Sequence, residues 1–263
     1  MKYKFLFLTL FLFPNFLIAQ ESTSLRDSVT VAVQRTERYF AKTNKDFNSQ
    51  LLLVLAAKVE QLYACKTQLT IVSKLNKPPV FDDEKTSIIF LKRILGKKEK
   101  LTREQLNAKQ GLEKLLNWSL AADVFRIDKE YAALLNNQSQ FPDRNTAHTS
   151  LCLAWLRDLN QLRYLPNSDS IICRHVALMT TMLHREPIAS DNQLEAMMAL
   201  MVLQQQALIS DSIIAAVIRH QNRDGGWAFE QVGNAPSHAH PTLLAYWVLQ
   251  DYLHAGTKLA KWF

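Results

Sequence analysis

The nonapeptide AHTSLCLAW, beginning at Ala147, returns 92 positions later as AHPTLLAYW, beginning at Ala239. Ala147 and Ala239, His148 and His240, Leu151 and Leu243, and Trp155 and Trp247 coincide, and Ser150 stands opposite Thr242. Half of that offset is about 46, and a strong helix start at Ser190 falls almost on the half-step. Another start, at Asn48, lies roughly two such periods before the first copy. The start at Thr102 is several residues out of phase, which places an insertion around 76–100. A period near 46 holds two helices and two turns, the signature of stacked helical hairpins.

The segments between turns agree with that reading. LLLVLAAKVEQLYA, SLCLAWLRDLNQLRYL, LEAMMALMVLQQQAL and LLAYWVLQDYL all carry apolar residues at helical spacing, and strand-like alternation is nearly absent. Thr102 with Gln105, and Ser190 with Gln193, fit the capping box, in which a hydroxyl and a side-chain amide satisfy free backbone donors. Prolines at 78–79, 142, 166, 187, 236 and 241 punctuate the intervals. The expected fold is all-α, with about five stacked helical hairpins. The pairs are 25–43 with 48–64, 84–96 with 102–117, 121–137 with 146–163, 168–184 with 190–206, and 211–221 with 239–254.

MKYK, the apolar FLFLTLFLF and a small residue at Ala19 have the layout of a secretory signal peptide over residues 1–19. Residues 20–263 then form a single exported domain, periplasmic or extracellular, with no integral membrane span. Losing Lys2 and Lys4 lowers the formal charge of +7 by two, and the remaining basic residues are scattered over helical stretches without interleaved aromatics. That distribution speaks against a nucleic-acid partner. Cys65, Cys152 and Cys173 do not make a disulfide framework. Cys152 and Cys173 flank one turn, but at roughly 1.5 Å per residue they sit about 9 Å out of level. All three are expected as small buried hydrophobes.

HQNRDGGWAF, residues 220–229, resembles the glutamine–tryptophan repeat of the squalene and hopene cyclases and the related loop of protein prenyltransferase β subunits. Gln221, Asp224, Gly225, Gly226 and Trp227 match, and Pro241-Thr242 fits the start of the following helix. The likeness is close over about 35 residues and architectural elsewhere. It implies an α/α toroid or open horseshoe whose inner helices line a central cavity; about five helical hairpins are fewer than usually close such a ring, which leaves an open cleft or closure by a partner chain. Gln221, Gly225, Gly226 and Trp227 read as structural: the glycines reverse the chain, Trp227 lies back across the hairpin, and Gln221 bonds helix-end carbonyls. The sequence departs from the resemblance where the chemistry lies. Ala216 replaces the aromatic expected before the glutamine, and no DxDD acid motif occurs, FDDEK at 81–85 being the nearest acidic cluster. The prenyltransferase zinc site asks for an Asp, a nearby Cys and a later His, and the loop holds Asp224 and His240 without the Cys.

The catalytic candidates are His148, His240 and Asp224. The two histidines occupy equivalent repeat positions, so both should stand where inner helices begin, beside backbone donors and positive dipole ends that favour anions. Asp143 and Arg144 precede one of those helices and join Trp227 and Tyr246 as candidate ligand-binding residues. Asp143, Asp224 and Glu230 form the carboxylate set that glycoside chemistry would use. No cofactor is predicted outright; zinc is carried as an alternative at His220, His238 and His240. Two functions follow. One is a toroid-type binding or scaffold protein that lacks cyclase and prenyltransferase chemistry. The other is an enzyme using rim His and Asp residues on an isoprenoid-like or carbohydrate substrate. The expected partner is a small apolar or carbohydrate ligand, or another protein.

Overall fold

Several helices begin where a side chain supplies an acceptor for free backbone donors, as Ser49, Thr102, Asp128, Asp143 and Ser190 do. The computed structural model describes residues 25–45, 47–78, 84–97, 99–230, 235–254 and 262–263. The export segment expected over 1–19, and most of FDDEK, lie outside the described residues. Twelve α-helices run through the rest: α1 (residues 25–43), α2 (Gln50–Tyr63), α3 (Ile71–Leu75), α4 (Glu84–Leu91), α5 (Arg103–Asn107), α6 (Gly111–Leu120), α7 (Lys129–Gln138), α8 (Arg144–Asp158), α9 (Ser168–Arg185), α10 (Asp191–Val202), α11 (Asp211–Arg219) and α12 (Ala239–Leu253). Asp128 and Asp143 cap α7 and α8 by accepting the backbone N–H three residues on. Thr102 and Gln105 complete the expected reciprocal capping box. Ser190 accepts from Gln193 N, but the Gln193 side chain returns to Ala189 N rather than to the cap itself.

No β-strand forms among the described residues, and the chain is all-helical as its periodicity requires. The even-numbered helices pack in sequence. α2 lies on α4, α4 on α6, α6 on α8, α8 on α10, α10 on α12, and α12 returns to α2. Of the others, α3 packs on α2, α5 and α7 on α6, and α9 on both α8 and α10. The segments expected as one hairpin, 84–96 with 102–117, divide differently. α4 ends in a short 3-10 turn, and the chain breaks again between Asn107 and Gly111 to give the separate short helix α5. The even helices therefore begin at 50, 84, 111, 144, 191 and 239, and spacing near the expected period is confined to the last three. Among the described residues no helix is long and apolar enough to cross a membrane.

All three cysteines are free, but only Cys152 is fully buried; Cys65 is half-buried and Cys173 is exposed. The expectation of three buried thiols fails at Cys173, because it lies on the solvent side of α9. The opposite face of α9 buries His175, whose Nδ1 meets Ser150 Oγ at 3.0 Å while Nε2 has no partner. Burial, with Arg174 beside it, pulls the imidazole down to about 4. The folded protein thus refuses a proton that the unfolded chain accepts near 6.5. The stability this gives is complete above pH 6.5 and is lost as pH falls toward 4, by about 2 kcal/mol at pH 5. Urea denaturation of wild type and His175→Leu at pH 7 and pH 5 checks this. The variant should lose about 2 kcal/mol less across that interval, and equal pH slopes would refute the assignment.

Candidate functional site

The N-terminal ends of α6, α8, α10 and α12 meet around one open cavity of about 720 Å³. Leu112, Arg144, His148, Asp191, Glu195 and His240 line it from those helices, and Glu186, Phe229 and Glu230 from the loops between them. A second cavity, of about 430 Å³, shares Leu112, His148 and His240 with the first. Its wall is otherwise mainly apolar: Leu51, Leu52, Leu55, Leu91, Leu116, Leu151 and Trp155. The two repeat histidines are the polar boundary between the spaces. Both sit near the starts of their helices, His148 as the fifth residue of α8 and His240 as the second of α12.

His240 is held on one side by Asp191, whose Oδ1 lies 2.6 Å from Nδ1. On the other side its Nε2 stands 3.9 Å from Glu195 Oε1. Burial alone would lower the His240 pKa, but the hydrogen bond and charge of Asp191, with the charge of Glu195, outweigh it and the net shift is upward. Glu195 is 3% exposed, and its Oε2 has no hydrogen-bond partner. Burial pushes its carboxyl up to about 8 against the opposing pull of His240. His148 Nδ1 bonds the Arg144 carbonyl oxygen at 2.6 Å. A carbonyl only accepts, so Nδ1 carries the proton and the neutral ring keeps a lone pair on Nε2. Burial lowers the His148 pKa and favours that neutral form.

Of the residues singled out in the sequence, His148, His240, Arg144 and Glu230 come together here. Others are engaged elsewhere. Asp143 is the α8 cap. Asp224 Oδ1 accepts from Gly226 N at 3.0 Å and from Ser237 Oγ at 2.7 Å, which ties up the loop rather than facing the cavity. Trp227 is fully buried, and its Nε1 donates to Val217 O across the hairpin, as the motif implies. Tyr246 is buried between α12 and α1, with its ring edge-on to Phe40 and its hydroxyl on Glu37. Gln221 reaches beyond its own helix end. Its amide donates to Ala32 O and Thr36 Oγ1 on α1 and to Gly225 O.

The imidazoles proposed for zinc do not gather. His220 turns its Nδ1 to Ala216 O, and His238 caps α12 and packs on Phe229, with ring centroids 4.0 Å apart. The prenyltransferase-type pairing of Asp224 with His240 is likewise not formed. Among the described residues the acid–imidazole group that converges is Asp191, Glu195 and His240, with ligand atoms all within 4.8 Å of one another. Asp191 and Glu195 were not among the sequence candidates. A signal existed: Glu195 is the lone charge inside LEAMMALMVL, and as the fifth residue of α10 it matches His148, the fifth of α8.

Comparison with protein-family models, with curated proteins and with solved structures finds no match. Function therefore rests on the site itself.

Proposed function

We propose that this chain is an exported α/α-toroid protein, similar in architecture to the terpenoid cyclases and prenyltransferases, that binds a small amphiphilic molecule. The apolar body would occupy the leucine-lined cavity, and the polar end would face the His148–His240 boundary. The observation that carries the reading is that these two histidines line both the apolar and the polar space. The toroid is supported by the closed order of contacts from α2 through α12 and back to α2. With α1, α3, α5, α7, α9 and α11 outside, the ring would have six hairpins rather than five and need no partner chain to close. The apolar cavity falls within the roughly 300–1,000 Å³ typical of small-molecule sites. Each buried methylene would contribute about 0.8 kcal/mol.

The test is native mass spectrometry of residues 20–263 with farnesol, an uncharged isoprenoid alcohol that probes the apolar cavity alone. Wild type should carry one equivalent. Leu55→Trp and Leu116→Trp, which fill the cavity, should lose the adduct while keeping a cooperative thermal transition. No adduct on wild type, or an adduct unaffected by both substitutions, would end this reading.

One observation favours catalysis as a second reading. Asp191 orients His240 through Nδ1, leaving Nε2 as a general base of the kind a carboxylate–imidazole pair provides. If so, His240→Gln should abolish conversion of an isoprenoid or oligosaccharide substrate without weakening its binding. Product analysis of substrate mixtures incubated with both proteins separates the two.

A further inference from the structure

We propose that His240 Nε2 and Glu195 are direct ligands of a divalent, zinc-class cation, with Asp191 orienting His240. The inference rests on the reading of this mouth as an open ligand site, and it concerns the cation rather than the apolar cargo.

The separation between Nε2 and Glu195 Oε1 is 3.9 Å. That is too long for a hydrogen bond. It is shorter than the roughly 4.2 Å that two bonds of about 2.1 Å to one ion can span. An unmade hydrogen bond between a buried carboxylate and an imidazole is costly, whereas the same spacing suits two ligands on a shared ion. The second observation is independent of it. Glu195 Oε2 is buried without a partner, in a residue only 3% exposed that lines the cavity. A buried unpaired carboxylate costs several kcal/mol unless a proton or a cation compensates it.

The surroundings match what a metal-bound imidazole needs. Asp191 Oδ1 accepts the Nδ1 proton at 2.6 Å, so the Nε2 lone pair faces Glu195. That is the carboxylate–histidine–metal relay by which outer residues fix a ligand's tautomer. His240 and Glu195, whose ligand atoms lie within 4.8 Å of each other and of Asp191, supply one nitrogen and one carboxylate donor, which leaves the remaining positions open to water or ligand. Asp191 brings one negative charge and Glu195 a second once the ion displaces its proton, and a divalent ion neutralises both. Imidazole donors favour zinc or cobalt over magnesium or calcium. A ligand end reaching this ion would be anionic or a polarised oxygen.

The experiment uses chelator-stripped, untagged protein, residues 20–263, titrated with Co²⁺ and then Zn²⁺. Visible cobalt absorption and calorimetry are the readouts. Wild type should bind one equivalent and give a structured cobalt spectrum that zinc abolishes. Glu195→Gln and His240→Gln should each weaken binding at least about 100-fold. Asp191→Asn should weaken it about 10–100-fold, the range expected for an outer partner. His184→Gln and His220→Gln should leave it unchanged. Circular dichroism confirms that each variant folds. Where His240→Gln does not, the near-isosteric Glu195→Gln decides alone. A wild type without stoichiometric metal, or a Glu195→Gln protein that binds as wild type does, overturns the proposal. The farnesol adduct is measured on metal-free protein, so loss of the metal site leaves the cavity reading standing, and loss of the adduct leaves this one.

Discussion

Gly225→Ala should cost roughly 2–5 kcal/mol of stability, among the largest single effects in this chain. Gly225 has φ of +98°. A β-carbon there would overlap the Arg35 carbonyl oxygen and stand 2.8 Å from its carbon. The left-handed backbone contributes about 1–2 kcal/mol and the overpacking about 1–3 kcal/mol. The neighbour is helical backbone in α1, so no rotamer change relieves the contact. Any shift also disturbs the Gln221 bonds to Ala32 and Thr36 and the Arg35 bond to Asn222 O. Gly96→Ala is the internal comparison. Its φ is +76°, but no atom lies within 4 Å of the added carbon, so only the backbone part, about 1–2 kcal/mol, should appear. Denaturant midpoints of the two variants separate strain from collision. Equal losses would mean that the loop is not pressed against α1.

Trp262→Ala should cost about 3–5 kcal/mol, the usual range for emptying a buried tryptophan site. Trp262 is nearly fully buried although it is the penultimate residue. Its ring lies 5.8 Å from Trp155 and 5.4 Å from Trp247, the two tryptophans of the internal repeat. Its backbone is held at both ends: Lys58 Nζ donates to its carbonyl and its N–H donates to Asp158 Oδ2. The side chain therefore joins the C-terminal halves of α8 and α12, the ends opposite the histidines. At about 2–4 °C per kcal/mol for a domain of this size, the thermal midpoint should fall by roughly 6–20 °C. Trp262→Phe should recover over half of the loss, since an aromatic ring remains between the two indoles. A fall under about 1 kcal/mol for Trp262→Ala would show that the terminus contributes little to the core.

The local half of this molecule was legible in the residues. Periodicity gave the helices, and the cap at Thr102 formed with its reciprocal partner. The repeat placed His148 and His240 at helix starts, and they line one cavity. The DGGW loop reads as structural in three dimensions too, with Trp227 folded over α11 and Asp224 spent inside the loop. The misplaced expectations have a common origin. Asp143, Asp224, Tyr246 and His238 are near the histidines in sequence or on the same helix, but a helix turns about 100° per residue, and a capping side chain is already occupied. Sequence proximity therefore could not decide which of them would reach the cavity.

What the sequence determined by itself was the helical class, several helix caps and the pair of repeated histidines, because each depends on interactions within a few residues. What only the tertiary structure decided was the company those histidines keep. Asp191 lies 49 positions from His240, and they meet because α10 packs against α12. Glu195 is buried because α10 is covered by α8, α9 and α12 together. The return of α12 to α2, and the seating of Trp262 between two repeat tryptophans, are likewise settled by packing across the whole chain. Periodicity fixes which face of a helix is apolar, but the helix that covers that face is chosen by the complementarity of surfaces distant in sequence.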